Sequence, residues 1–262
     1  PNVGKSTFVN QAVGTKVSIV SPKVQTTRTR ILGIVGIAAS QLVLIDTPGV
    51  FLPRRRLDRA MVSAAWSGAA NADLVLLLVD ASRGIDQNTG DIIKKLTSTK
   101  RRVLLAINKI DLIKKESLLA LTAELRVFNI IDEIFMISAK SGDGVRDVLD
   151  ILARDLPRGP WLFPNHQVSD MPERLLAAEI TREKLYLHLQ QELPYVTTVE
   201  TESWDEKSNG AIRINQVIYV QRTTQRTIVL GKNGQKIKVI GAAARKELES
   251  ILGCRVHLFL FV

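Results

Sequence analysis

This sequence predicts an α/β domain built on a mostly parallel sheet with helices on both faces, followed by a smaller α+β module. Three observations predict it. Continuous apolar runs of strand length, Asp73–Asp80 and Arg101–Ile107, are spaced by helical segments, the pattern of parallel strands covered on both faces. The later part instead carries alternating runs, Thr197–Trp204 and Ala211–Val220, joined by a turn over 206–210. Charge divides along the same line: +7 over residues 1–155, −5 over 156–206 and +8 over 207–262. A small basic block behind an acidic segment is the electrostatic footprint of a module that binds a polyanion.

Composition bounds the rest. With 262 residues, 45% hydrophobic and 24% charged, the chain has room for two ordinary globular domains. Its apolar runs, such as Leu74–Val79 and Val103–Ile107, fall far short of the roughly 20 residues that span a membrane as a helix. One cysteine, Cys254, excludes an internal disulfide framework and suits a reducing compartment.

The opening stretch Pro1-Asn2-Val3-Gly4-Lys5-Ser6-Thr7 reads as the end of a phosphate-binding loop, G-x-x-x-x-G-K-[ST]. The first glycine of that pattern, and the strand before it, are expected ahead of Pro1 in a longer protein. Gly4 lets the backbone curl around a polyphosphate, Lys5 brings charge to the β- and γ-phosphates, and Ser6 offers a hydroxyl to Mg²⁺. Phe8–Val13 fits a helix whose positive end faces the phosphates.

Thr15–Arg30 is polar and basic and reads as a mobile loop. In a nucleotide switch a threonine here completes Mg²⁺ coordination, and Thr27, just ahead of the next strand, is preferred to Thr26. Ile31–Ile37 and Gln41–Ile45 read as a hairpin, the second strand running into Asp46-Thr47-Pro48-Gly49. A carboxylate at a strand end holds Mg²⁺ through water, and the Gly49 N–H meets the γ-phosphate. Arg101–Ile107 ends in Asn108-Lys109-Ile110-Asp111. Asp111 would accept two hydrogen bonds from guanine N1–H and the exocyclic amine, a donor pair adenine lacks. Asn108 would touch the base edge and brace the phosphate loop, while the Lys109 stem covers the ring. Ile134–Ile137 ends in Ser138-Ala139-Lys140, where the Ala139 N–H would donate to the guanine carbonyl. All these elements sit at carboxyl ends of strands, where open α/β sheets bind ligands, and together they predict a guanine-nucleotide site.

Hydrolysis is less legible. The residues after Gly49 are Val50 and Phe51, with no glutamine to orient water. Either backbone or another group positions the water or the intrinsic rate is low: a K⁺ held partly by Asn2 is one candidate, and a cationic finger from Arg54-Arg55-Arg56 is another, though that run reads first as a solvated basic loop.

Val145–Leu156 has helical rhythm, and Leu156-Pro157-Arg158-Gly159-Pro160 breaks it. The expected domains are therefore 1–156, a linker 157–172, and 173–262. The second domain opens on a helix over Glu173–Leu193, with Leu175, Leu176, Ala178, Ile180, Leu185 and Leu189 inward. After its two strands, Gln225–Leu230 reads as a third alternating piece, Ile237–Leu252 as a helix and Arg255–Val262 as a last strand. Between them lies Gly231-Lys232-Asn233-Gly234, the Gly-x-x-Gly that clamps single-stranded RNA backbone in KH modules. Lys232, Lys236 and Lys238 supply charge. Ile228, Ile237 and Ile240 are read as core before groove.

The chain resembles the Era family of bacterial ribosome-assembly GTPases over its whole length. Pro-Asn-Val-Gly-Lys-Ser-Thr at 1–7, Gln-Thr-Thr-Arg at 25–28, Asp-Thr-Pro-Gly at 46–49 and Asn-Lys-Ile-Asp at 108–111 look like its nucleotide motifs. Met-Pro-Glu-Arg at 171–174, Ala-Glu-Ile-Thr-Arg-Glu-Lys at 178–184, Glu-Leu-Pro-Tyr at 192–195 and Val-Leu-Gly-Lys-Asn-Gly at 229–234 lie in the part that sets the family apart. The resemblance implies a P-loop GTPase domain, a type II KH domain binding the 3′ end of 16S rRNA, and a part in 16S processing and 30S subunit biogenesis. It implies slow intrinsic turnover, Mg²⁺ as cofactor, and a monomeric cytoplasmic protein partly peripheral at the inner membrane. The alternative is an RNA-binding assembly factor whose nucleotide pocket is structural or inactive.

Overall fold

The computed structural model describes residues 2–262 except 24–25, 29, 52, 54–55, 99–101 and 190–192. Pro1, Gln25, Arg54, Arg55, Arg101 and Glu192, named above, lie outside the described residues. The chain divides into two compact units, one of residues 1–18 and 27–170, the other of 19–26 and 171–262.

In the first unit, helix α1 (Lys5–Val13) follows the phosphate loop, and β1 (Ile31–Ile37) pairs antiparallel with β2 (Ser40–Asp46). Then come α2 (Arg56–Asn71), β3 (Val75–Asp80), α3 (Gln87–Thr97), β4 (Val103–Asn108), α4 (Lys115–Arg126), β5 (Ile131–Ile137) and α5 (Val145–Asp155). Strands β3, β4 and β5 form a parallel sheet with β4 central. Every residue of β4 is buried, as a strand covered on both faces requires. One face carries a core that includes Phe8 and Val9 of α1 with Val148, Leu149 and Leu152 of α5; the other packs Ile93 of α3 and Leu118, Leu121 and Leu125 of α4. Helix α1 approaches β1 closely at Gly33, where a Cβ would stand 2.6 Å from Val9 Cγ1 and 2.9 Å from Val13 Cγ2. An apolar cavity of about 360 Å³ lies between β2 and β3, lined in part by Phe8, Leu42, Leu76 and Leu152. Residues 157–170, read as linker, run along the hairpin: the Ile34 N–H donates to Val168 O, Ser169 Oγ donates to Leu32 O, and Gln41 and Phe163 exchange hydrogen bonds.

The second unit contains α6 (Glu173–His188), α7 (Leu193–Val196), β6 (Thr198–Glu206), β7 (Ile212–Tyr219), α8 (Thr223–Leu230), α9 (Gln235–Leu252) and β8 (Val256–Phe261). Strands β6 and β7 are antiparallel, and β8 lies parallel to β7. Two cores pack α6 and α9 on one sheet face through Ala177, Ile180, Leu185, Ile240, Ala244 and Leu248. Inside, Thr181 Oγ1 donates to Gln216 Oε1 at 2.6 Å, so a buried polar pair ties α6 to β7.

The structure corrects three expectations. Gln225–Leu230 is helical, so Gly-x-x-Gly joins two helices and the order becomes helix–strand–strand–helix–helix–strand, that of a type II KH domain. Leu175 is 48% exposed, and Leu189, though buried, follows the end of α6. Ile240 is core, whereas Ile228 is half exposed.

Residues 19–26 belong to the second unit. Val20 N–H donates to Glu183 Oε1 at 2.7 Å, Arg182 donates to the Thr26 carbonyl at 2.8 Å, and the Lys23 ammonium caps the Tyr186 and Leu189 carbonyls where α6 ends.

Candidate functional site

Gly4 has φ 97°, a conformation open to glycine, and a Cβ there would stand 2.3 Å from Asn108 Nδ2. The close approach has a purpose: Asn108 Nδ2 donates to Val3 O at 2.7 Å, so the end of β4 braces the phosphate loop. Asn2 (φ 60°), Val3 and Gly4 lead into α1, and the first helical turn carries Lys5, Ser6 and Thr7. Burial pushes the Lys5 ammonium below its ordinary pKa, and the Asp46 carboxylate offsets part of that. A polyphosphate in the loop would supply the missing counter-charge.

Asp46 is the centre of a cluster of hydroxyls. Its Oδ2 accepts from Ser6 Oγ at 2.6 Å, from Ser18 Oγ at 2.7 Å and from Thr27 Oγ1 at 3.4 Å, and the Ser6 and Thr27 hydroxyls are 3.1 Å apart. Asp46 Oδ1 is buried and has no hydrogen-bond partner among the described residues. A bare carboxylate oxygen beside two hydroxyls is costly alone and is the donor set a hard cation prefers, so these residues fit Mg²⁺. Thr27 is brought to this cluster; Thr26 is not, its hydroxyl donating to Lys23 O. Gly49 follows β2 in an irregular stretch and makes no hydrogen bond among those described, and the Val50 carbonyl there accepts from Asn88.

Sequence reasoning missed Ser18 and Asn10. Asn10 Oδ1 accepts the Val17 and Ser18 N–H groups at 2.9 Å, and its Nδ2 donates to Ser18 O at 2.7 Å. The available signal was a lone serine at 18 between apolar neighbours, which proves to be 1% exposed.

At the base end, Asn108 is 2% exposed and its Oδ1 accepts the Ala139 N–H at 2.9 Å. This amide, expected to meet the guanine carbonyl, thus also braces Asn108, and a base that took it would share it with that side chain. Lys109 sits in the left-handed region (φ 67°), and its ammonium donates to Asn2 O at 2.8 Å and to Asp80 Oδ2 at 2.6 Å. Asp111 lies exposed in the short turn Ile110–Leu112. Ser138 is buried at the end of β5, its carbonyl accepting the Gly142 N–H, and Lys140 is exposed.

In the second unit, Gly231 (φ 72°) and Gly234 (φ 71°) flank Lys232 and Asn233 between α8 and α9. A Cβ on Gly231 would stand 2.6 Å from the Lys236 Cβ, so the loop folds flat on the first turn of α9. Lys232, Asn233 and Lys238 are exposed and Lys236 is half-buried. No side chain caps the start of α9, which leaves its backbone donors open to an anion.

The fold and these two sites define a P-loop GTPase domain followed by a type II KH domain. Residues 1–109 match the family model described as 50S ribosome-binding GTPase, and residues 192–261 match the KH domain model. The chain is 58% identical over all its 262 residues to the GTPase Era of Afipia carboxidovorans, spanning 85% of that protein, and 55% identical to that of Agrobacterium fabrum, spanning 82%. A crystal structure of Era in complex with MgGDPNP and nucleotides 1506–1542 of 16S ribosomal RNA superimposes with TM-score 0.94 at 38% identity, over 99% of this chain and 89% of that one. A point variant of Aquifex aeolicus Era bound to GDP·AlF4⁻ gives 0.95 at 37%, over 100% and 90%. The chain belongs to the GTPase Era family, and it is a GTP-hydrolysing enzyme. None of the helices among the described residues is long and apolar enough to cross a membrane.

Proposed function

We propose that this chain is a guanine-nucleotide switch that holds the 3′ end of 16S rRNA and assists 16S processing and 30S subunit biogenesis. Residues 2–7 bind the phosphates; Ser6 and Thr27 bind Mg²⁺ directly and Asp46 through water. Bound there, Mg²⁺ neutralises charge on the β- and γ-phosphate oxygens. Gly49 faces the γ-phosphate. Asn108, Lys109 and Asp111, with Ser138, Ala139 and Lys140, bind guanine. Gly231–Gly234, with Lys236 and Lys238, grips the RNA backbone. The nucleotide domain is centred on residues 1–156 and the RNA domain on 173–262, with 157–170 folded onto the former and 19–26 onto the latter. The protein works as a cytoplasmic monomer with a peripheral fraction at the inner membrane.

One observation carries this reading: the Asp46 carboxylate, whose Oδ2 accepts the Ser6 and Thr27 hydroxyls while its buried Oδ1 has no partner among the described residues, an arrangement that wants a cation and a triphosphate. The test measures GTP turnover of the intact protein with and without a 3′-terminal 16S oligonucleotide. RNA is expected to raise turnover, and Gly231→Asp combined with Gly234→Asp to remove that increase while basal turnover persists. ATP preference, or no turnover surviving purification, would leave only an RNA clamp.

No glutamine follows Gly49, so the attacking water needs another organiser. Asn2 is our candidate ligand for a K⁺ beside the β/γ oxygens, supported by its place in the loop at φ 60°. Turnover should be faster in KCl than in NaCl; equal rates dispose of the K⁺.

A further inference from the structure

We propose that Asp80 is a positioning residue of the guanine pocket, fixing Lys109 so that base site and phosphate loop act as one body. The proposal rests on the assignment of Lys109 to the base. Asp80 ends β3 and stands in register with Asn108 of β4, at the same edge of the sheet. Its side chain is 2% exposed, and both oxygens are engaged. Oδ2 lies 2.6 Å from Lys109 Nζ and 3.7 Å from Arg83 Nε. Oδ1 accepts the Ser82 N–H at 3.0 Å and the Ser82 Oγ–H at 2.6 Å. Desolvation favours protonation of this carboxyl, but the bonds from Lys109 and Ser82 outweigh it and hold the group below the usual carboxylate range.

The arrangement solves a problem that lysine poses. Its stem is flexible and loses much rotamer freedom if it must order only when a purine arrives. Here one end is set by the left-handed backbone at Lys109, and the ammonium is set by Asp80 and the Asn2 carbonyl. The stem between is thereby pre-ordered as a flat apolar wall, and the same ammonium ties that wall to the loop that holds the phosphates. Without Asp80 the ammonium keeps one neutral carbonyl among these anchors, and the wall and the loop lose their common post. Asp80 makes no contact with the nucleotide in this scheme; it acts through Lys109.

The test is a double-mutant cycle on the intact protein, read as the release rate of a fluorescent GDP analogue. Asp80→Asn and Lys109→Met should each speed release by roughly tenfold, the low end of what loss of an orienting partner costs a binding group. The double variant should release less than about twofold faster than Lys109→Met alone, since the two changes break one connection. Asp80→Asn should leave the preference for GDP over IDP unchanged, because Asp111 still reads the exocyclic amine; Asp111→Asn should abolish that preference. Fully additive losses, or an unchanged release rate in Asp80→Asn, overturn the proposal. If Asp80→Asn does not yield folded protein, Ser82→Ala replaces it. That variant should speed release about two- to threefold, the scale of one hydrogen bond, and have no effect in the Lys109→Met background. Equal acceleration there, or none in the wild-type background, overturns the proposal too. A GDP/IDP preference that survives Asp111→Asn would show the base pocket itself to be misassigned, a failure separable from the cycle, and the proposal falls with it.

Discussion

At the scale of single residues, Asp46 divides its labour between two oxygens. One collects three hydroxyls and is thereby aimed; the other, buried, has no partner among the described residues. Lys5 shares this environment, which disfavours its charged form until an anion arrives. Nucleotide phosphate should raise the lysine's pKa back toward 10.5. In the pH window between the free protein's lowered value and that of the complex, binding therefore takes up a proton. Affinity for GDP should then fall as pH rises through that window; calorimetry in buffers of different ionisation enthalpy would detect the uptake. With Asp111 assigned to guanine as proposed, Asp111→Asn would place a donor opposite the purine amine. Affinity for GTP should drop by at least about a hundredfold while xanthosine triphosphate becomes the better ligand, as expected where buried polar groups select a base. That Ser6, Thr27 and Asp46 meet, and that Asn108 braces the loop, was legible because each lies next to an element end whose pattern is plain. Ser18, Asn10 and Asp80 were not, because a side chain that buttresses another group leaves no spacing rule. Only packing brings Asn10 to Ser18.

Helix α8 teaches most at the scale of elements. Its sequence Thr-Ile-Val-Leu at 227–230 is β-branched and apolar, which favours a strand on local grounds. The start of the segment says otherwise: Gln225 Oε1 accepts the Gln221 and Arg222 N–H groups, while the Gln225 N–H donates to the Arg222 carbonyl. Val229 alone in α8 is fully buried, so one side of a helix suffices to dock it and weak propensity is overridden. The parallel strands gave no such difficulty, since unbroken apolar runs of six residues have few other uses in a soluble chain. Contact between α1 and β1 was invisible in advance, because it depends on an absent side chain at Gly33. Gly33→Ala should lower stability by about 1–3 kcal/mol, the usual cost of overpacking, measured by urea unfolding. Because α1 carries Lys5 and Ser6, the same variant should bind GDP less tightly, whereas Gly90→Ala, inside α3 with open space around its Cβ, should raise stability by up to about 1 kcal/mol and leave GDP affinity unchanged.

For the whole molecule, charge is the property that sequence displays best. The +8 of residues 207–262 is borne on a domain whose loop exposes Lys232 and Lys238 beside the uncapped start of α9. If Lys232, Lys236 and Lys238 each neutralise one phosphate, replacing all three by Gln should reduce the slope of log affinity against log salt by about 2, from roughly 0.7 per single-strand contact. Titrations with a 3′-terminal 16S oligonucleotide across salt concentrations would measure it, and GDP affinity should stay constant. Residues 19–26 have a less obvious consequence. They are counted with 171–262 though residues 27–170 intervene. A gene fragment starting at Met171 would discard them, leaving the Glu183 carboxylate without the Val20 amide and the end of α6 without the Lys23 ammonium. The portable RNA-binding piece of this protein is therefore discontinuous, and grafting it elsewhere means carrying an octapeptide along with it.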